Sequence, residues 1–204
     1  MDKQQLLYSL KQQGFSGQIL NAFSKVKREN FISESFVEHA YEDNALPIGE
    51  DQTISQPYTI AVMLSMLGLK QGQRVLEIGS GCGYVLALLS EIVGKHGKVF
   101  GVETIKELAD KSINSTNNYE NIKIYNKNGA EGLNSKAPFD RILISAAISK
   151  IPKIILNQLK ENGILVAPIG GLEKQTLTSI KKIKDNFTIK EEVPGFVFVK
   201  FVED

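Results

Sequence analysis

The chain has 204 residues, 42% of them hydrophobic and 23% charged, which is the balance of a globular protein with one core of useful size. Its 24 basic and 23 acidic side chains leave a formal net charge of +1, so no long-range field draws nucleic acid or an anionic membrane toward it. A single cysteine, Cys82, cannot form an internal disulfide, and no stretch approaches the roughly 18 apolar residues of a membrane span.

Met1-Asp2-Lys3-Gln4-Gln5 is not followed by an apolar core of signal-peptide length, so a cytoplasmic location is expected. The two histidines, His39 and His96, lie far apart and no Cys/His ligand spacing occurs; no metal site is expected. With no obvious exposed apolar helix, a monomer is the expectation.

In chain order, residues 3–13 and 17–27 read as helices punctuated by Gly14 and Gly17. Residues 41–49 read as a loop. Pro57 then opens a helix whose Ile60, Met63, Leu64 and Leu67 share one face, with Gly68 to end it. From residue 73 strands and helices alternate: strand 73–78, helix 83–93, strand 98–103, helix 105–116 and strand 122–125. Strand 139–146, helix 152–160 and strand 164–169 follow. Apolar strands separated by helices imply a parallel sheet covered on both faces. The remaining segments, 175–184, 188–193 and 196–202, read as strands alone and predict an antiparallel extension. The expected fold class is α/β, a three-layer Rossmann-like sandwich with a mostly parallel central sheet, antiparallel C-terminal strands and an N-terminal helical cap.

The most informative segment is Val75-Leu76-Glu77-Ile78-Gly79-Ser80-Gly81-Cys82-Gly83-Tyr84, at a predicted strand–helix junction. Gly79, Gly81 and Gly83 let the backbone turn sharply around Ser80 and Cys82 and approach a ligand closely. Isolated glycine loops are often only tight turns, but this placement favours a nucleoside ligand. A dinucleotide fingerprint needs a glycine at position 84, where Tyr84 stands. That disfavours a nicotinamide-dependent oxidoreductase and suits S-adenosyl-L-methionine, which has no phosphate and carries a zwitterionic methionine tail. Glu103, ending the next strand, is placed to accept hydrogen bonds from ribose hydroxyls; its alternative is capping the following helix. Glu77, inside a strand end, needs a partner to offset desolvation. It either orders the loop or meets the methionine ammonium. Cys82 reads as packing rather than as a nucleophile.

Beyond the glycine loop, the sequence resembles the protein-L-isoaspartate O-methyltransferase family from about Lys27 to Phe201. The matching segments include Arg28-Glu29-Asn30-Phe31, Tyr41-Glu42-Asp43-Asn44-Ala45-Leu46-Pro47-Ile48-Gly49 and Gln52-Thr53-Ile54-Ser55-Gln56-Pro57. Pro138-Phe139-Asp140-Arg141-Ile142 and Gly163-Ile164-Leu165-Val166-Ala167-Pro168-Ile169-Gly170 continue it. The resemblance implies one methyltransferase domain. Within it, residues 1–70 form the helical and substrate side, 71–170 the cofactor core and 171–204 the C-terminal strands.

The implied activity is methyl transfer from S-adenosyl-L-methionine to the free α-carboxylate of isoaspartyl residues in damaged proteins and peptides. The ester then collapses to a succinimide, which can reopen as aspartate. By resemblance Ser55 is the active-site residue, with Thr53 and Ile54 shaping the acceptor pocket. Read without the family, Ser55 is better taken as an N-cap before Pro57. Two positions depart from the family: Asn128 of Lys127-Asn128-Gly129 replaces an aspartate near the adenine, and Lys200 replaces a proline of the last strand. Asn128 and Gly129 are expected on the adenine side, with a weaker hydrogen bond from the neutral amide. Alternatives are a methyltransferase of another acceptor and a non-catalytic cofactor-binding relative.

Overall fold

The computed structural model describes residues 1–171 and 173–201; Val202, the end of the last predicted strand, lies outside them. Seven strands form one sheet in the order β5-β4-β3-β6-β7-β8-β9. They are β3 (Arg74–Ile78), β4 (Lys98–Glu103), β5 (Ile122–Asn126), β6 (Phe139–Ile144), β7 (Leu159–Gly170), β8 (Gln175–Ile183) and β9 (Asn186–Phe196). The five from β3 to β7 run parallel, and β8 and β9 add antiparallel beyond β7.

Alternation along the strands feeds two cores. Val75 points into a cluster with Leu6, Phe23, Ile60 and Leu86, whereas Leu76 and Ile78 join Phe100, Phe139 and Ile155 on the opposite face. The first face is covered by α1 (Lys3–Gln12), α2 (Gly17–Lys25), α3 (Pro57–Leu67) and α4 (Tyr84–Val93). α5 (Lys106–Ser115) packs near β4 and β5, and α6 (Lys153–Asn157) lies against β7. Each fully buried Leu, Ile or Phe contributes roughly 1.5–3 kcal/mol of transfer free energy. The N-terminal helix is closed by a capping box, in which Asp2 and Gln5 exchange backbone-to-side-chain bonds of 2.9 Å.

Three expectations are corrected. Residues 46–49 are not loop: β1 (Leu46–Gly49) pairs with β2 (Gln52–Ile54) as an antiparallel hairpin. The helix expected over 152–160 covers only Lys153–Asn157, because Leu159 already pairs with Phe139 and the Phe139 N–H donates to Gln158 O at 2.8 Å. The separate strands expected at 188–193 and 196–202 are one strand to Phe196, followed by irregular chain with an isolated bridge between Ala147 and Lys200. Residues 28–39, unassigned from sequence, form two 3-10 turns, Arg28–Phe31 and Glu34–His39.

Candidate active site

The strand after β3 in the sequence, β4, lies on one side of it, and β6 lies on the other. The connections therefore diverge at the carboxyl end of β3 and leave a crevice there, the usual ligand position in such sheets. The glycine loop fills this point. Gly79 and Ser80 donate to the Val102 carbonyl at 2.8 and 3.2 Å, which ties the loop to the end of β4.

Gly81 and Gly83 have φ of +52° and +89°, a region that favours glycine. A Cβ on Gly83 would come within 2.6 Å of Ser112 Oγ on α5, and one on Gly81 within 3.2 Å of Ile48 Cδ1 on the hairpin. Gly81 lines the cleft. Gly83 instead meets α5, a packing position. Tyr84 turns its ring inward to edge contacts with Phe23 and Phe31 at 6.3 and 5.4 Å between centroids.

Glu103 is 6% exposed and lines the crevice beside Gly79, Gly81 and Gly129. Its carboxylate accepts from Gly81 N–H at 2.8 Å and Ile105 N–H at 3.0 Å. The two oxygens have lone pairs beyond these bonds, so the group that orders the loop can also accept from a diol. Glu77 is wholly buried. One of its oxygens accepts from Ser145 Oγ at 2.7 Å, and Oε2 has no partner. Burial pushes its carboxyl up to about 8; the Ser145 hydrogen bond opposes that rise and the nearby Glu103 charge adds to it.

Ser80 Oγ is likewise buried without a partner and lies on the side of Gly101, where a Cβ would approach it to 3.2 Å. Gly129 lines the crevice with its backbone against Ile78. Asn128 caps the short turn that follows, its Oδ1 accepting from Ala130 N–H at 2.7 Å.

Next to the crevice lies a cavity of about 440 Å³ between the hairpin, the start of α3 and residues 193–199. A small cavity of about 40 Å³ around Glu77 and Ser55 joins the two. Thr53 and Ser145 line all three spaces; Ser55 lines the larger cavity and the connecting one, and Ile54 only the latter.

Ser55 is not the N-cap of α3. That position is Gln56, and Asp43 caps the helix by accepting from Tyr58 N–H at 2.7 Å and from Gln56 Nε2 at 3.1 Å. The Ser55 hydroxyl makes no hydrogen bond among the described residues and is open to the cavity.

Two functional groups escaped the sequence reading. Ser145 sits at the end of an apolar strand, where nothing in its spacing distinguishes it. Arg28 is fully buried, and its guanidinium donates to four carbonyls: Ala40 at 2.8 Å, Glu42 at 3.3 Å, Asn44 at 2.9 Å and Ser55 at 3.1 Å. It fixes the loop that forms one wall of the larger cavity. A motif of Arg-Glu-Asn-Phe carries no sign of that clamp, because its partners are backbone atoms.

The geometry agrees with the comparisons. A protein from Methanococcoides burtonii named protein-L-isoaspartate O-methyltransferase is 41% identical over 188 residues, covering 91% of this chain and 92% of the relative. A solved protein-L-isoaspartate O-methyltransferase superposes with a TM-score of 0.89 at 30% identity; the match covers 98% of this chain and 65% of that longer one. A Plasmodium falciparum protein assigned to the same enzymes, in complex with S-adenosyl-L-homocysteine, superposes with a TM-score of 0.87 at 27% identity over the full length of both chains. The cofactor is S-adenosyl-L-methionine, in keeping with that complex. The family model described as Protein-L-isoaspartate(D-aspartate) O-methyltransferase matches residues 1–204, and the chain belongs to that family.

Proposed function

We propose that this chain methylates the free α-carboxylate of L-isoaspartyl residues in damaged proteins and peptides and so starts their repair through a succinimide. The observation that carries the proposal is the makeup of the acceptor cavity. Its lining holds Thr53, Ser55, Gln56, Thr59, Ser145 and apolar groups, and Tyr58 is its one ionisable side chain among the described residues. An amine, phenol or alcohol acceptor needs a base to expose its lone pair. A carboxylate, with an unperturbed pKa near ~4, arrives ionised and needs none.

When bound, S-adenosyl-L-methionine supplies an activated methyl on a sulfonium, so the protein's task is positioning in a line, worth up to about 7–11 kcal/mol. In this reading the Ser55 hydroxyl donates to the acceptor carboxylate and orients one oxygen. Thr53 and Ile54 set the wall behind it. The backbone at Pro194–Val197 offers an edge for the peptide on either side of the isoaspartate. On the cofactor side Glu77 takes the ammonium and Glu103 the ribose hydroxyls. Gly79, Ser80, Gly81 and Gly83 shape the loop, and Asn128 and Gly129 border the adenine.

The test uses labelled S-adenosyl-L-methionine and two peptides that differ only in isoaspartate against aspartate. Base-labile label is expected on the isoaspartyl peptide alone. Label on both or neither, with cofactor binding intact by calorimetry, would sink the acceptor assignment. Ser55→Ala is expected to lower turnover at least tenfold while leaving cofactor affinity within about twofold; full turnover in that variant removes Ser55 from the site.

A further inference from the structure

At the other end of the sheet, the amino ends of the parallel strands frame a separate cavity of about 500 Å³. It is lined by Arg74, Lys95, Lys98, Lys123 and Lys136, with Glu120 as its one carboxylate among the described residues. The whole chain carries a net charge of only +1, so five cations around one acid is a local asymmetry that composition hides.

Strand register explains how they converge. Arg74 on β3 pairs with Lys98 on β4, and Phe100 on β4 pairs with Lys123 on β5. Partners in a parallel ladder, and residues two apart on one strand, point to the same face. Arg74, Lys98, Phe100 and Lys123 therefore form one patch across three adjacent strands. The Arg74 guanidinium lies 5.0 Å from the centre of the Phe100 ring, and one of its nitrogens donates to the Lys136 carbonyl. Its other two nitrogens make no hydrogen bond among the described residues.

The cations are not neutralised from nearby. None of the five forms an ion pair among the described residues. A further carboxylate in the sheet, Asp140, is held by Lys160 at 2.9 Å and by the Arg74 backbone N–H at 2.8 Å. Like charges directly opposite in a sheet are destabilising, and this arrangement places Arg74 opposite Lys98 without an acid between them. An anion bridging the row would relieve that repulsion.

The row spans two interstrand spacings, roughly 9–10 Å, too wide for one phosphate and within reach of a short chain of them. Arg offers a planar fork for phosphate oxygens and Lys a point charge. The Phe100 face is covered by Arg74, so the floor offers no platform for a nucleobase. We propose that this cavity binds a small polyphosphate, either as free inorganic chain or as the phosphate tail of a nucleotide, at a site independent of the methyl-transfer crevice. It is set at the amino end of β3, whereas the crevice is at the carboxyl end.

The experiment is calorimetric titration of the full chain with inorganic tripolyphosphate at constant ionic strength, with adenosine triphosphate and sulfate in parallel. Saturable binding of tripolyphosphate, unchanged by saturating S-adenosyl-L-homocysteine, is expected. The double variant Lys98→Gln/Lys123→Gln should weaken it at least tenfold and keep both the circular dichroism spectrum and methyl transfer of the parent. A control pair on the C-terminal hairpin, Lys184→Gln/Lys190→Gln, should bind as the parent does. Equal affinity for tripolyphosphate and the nucleotide assigns the free chain, and tighter nucleotide binding assigns the tail. The proposal is overturned by no saturable heat, by sulfate binding as tightly as tripolyphosphate, or by the double variant retaining affinity. Binding of a DNA duplex in the absence of any tripolyphosphate binding also overturns it.

Discussion

Glu77, buried with one carboxylate oxygen on Ser145 Oγ, would couple burial to cofactor binding if it takes the ammonium. Its carboxyl moves from 4.5 up to about 8, so at pH 7 about nine-tenths of it carries a proton. The unfolded chain has released that proton above its ordinary value, and the folded state therefore binds more protons between these limits. Stability credited to the neutral carboxyl is present in acid and is lost as pH climbs from 4.5 through about 8. An arriving ammonium reverses the preference, because an opposite charge at hydrogen-bond range favours the ionised form. Cofactor binding at pH 7 should then release close to one proton, read from the dependence of binding enthalpy on the buffer's ionisation enthalpy. The release should decline toward pH 9 and disappear in Glu77→Gln. A binding enthalpy indifferent to buffer at pH 7 would place the ammonium elsewhere. Cys82 obeys the same physics: burial pushes its thiol up to about 11, so iodoacetamide at pH 7.5 should leave it unmodified in the folded protein and label it in urea. Glu77 and Glu103 could be singled out from the sequence because each stands at or one residue before the end of a strand beside the glycine loop. Ser145 was not, since a hydroxyl at the end of Phe139–Ile144 looks like an ordinary strand terminus until its partner is seen.

At the scale of elements, the hairpin of β1 and β2 borders the crevice and the neighbouring cavity and is the part the sequence concealed most. Its two turn residues, Glu50 and Asp51, both have φ of +54°, the requirement of the tight turn that matches strand twist. That turn ordinarily announces itself as Asn-Gly, and Glu-Asp gives no such signal; Pro47 within β1 argues further against a strand. The same bias split β9 in two, because Pro194-Gly195 reads as a break. Pro194 is tolerated on an edge strand, where a missing N–H leaves no ladder partner unserved. Left-handed backbone costs a non-glycine residue about 1–2 kcal/mol, so replacing Glu50-Asp51 by Asn-Gly should stabilise the protein by about 1 kcal/mol or more. For a chain of this size that is a rise of about 2–4 °C in Tm per kcal/mol. Both side chains are exposed, and turnover should be unaffected. A fall in Tm by calorimetry would mean that the two carboxylates contribute more than their backbone costs.

Over the whole molecule, the crevice is made by three stretches that are far apart in sequence. The hairpin supplies Ile48 and Thr53, the sheet ends supply Gly79, Glu103 and Ser145, and the last described residues supply Val199, Lys200 and Phe201. The sheet portion followed from strand–helix alternation. The outer two did not, because their positions depend on long-range contacts that no local pattern encodes. As it stands the crevice measures about 70 Å³, well below the 300–1,000 Å³ common for small-molecule sites. If the nucleoside binds here, the hairpin and residues 199–201 are expected to part for it and to close over it afterwards. Phe201 anchors the C-terminal side: it is 5% exposed, belongs to the core with Ile78, and its N–H donates to the Ala147 carbonyl at 2.9 Å. Phe201→Ala should cost about 3 kcal/mol, as large-to-small core changes do, and should loosen the wall of the crevice as well. The two effects separate in a thermal titration with S-adenosyl-L-homocysteine, because ligand stabilisation grows as RT ln(1 + [L]/Kd). A closing segment predicts both a lower Tm without ligand and at least a tenfold higher Kd from the ligand-dependent shift. A lower Tm with an unchanged Kd would reduce Phe201 to a core residue and leave closure to the hairpin alone.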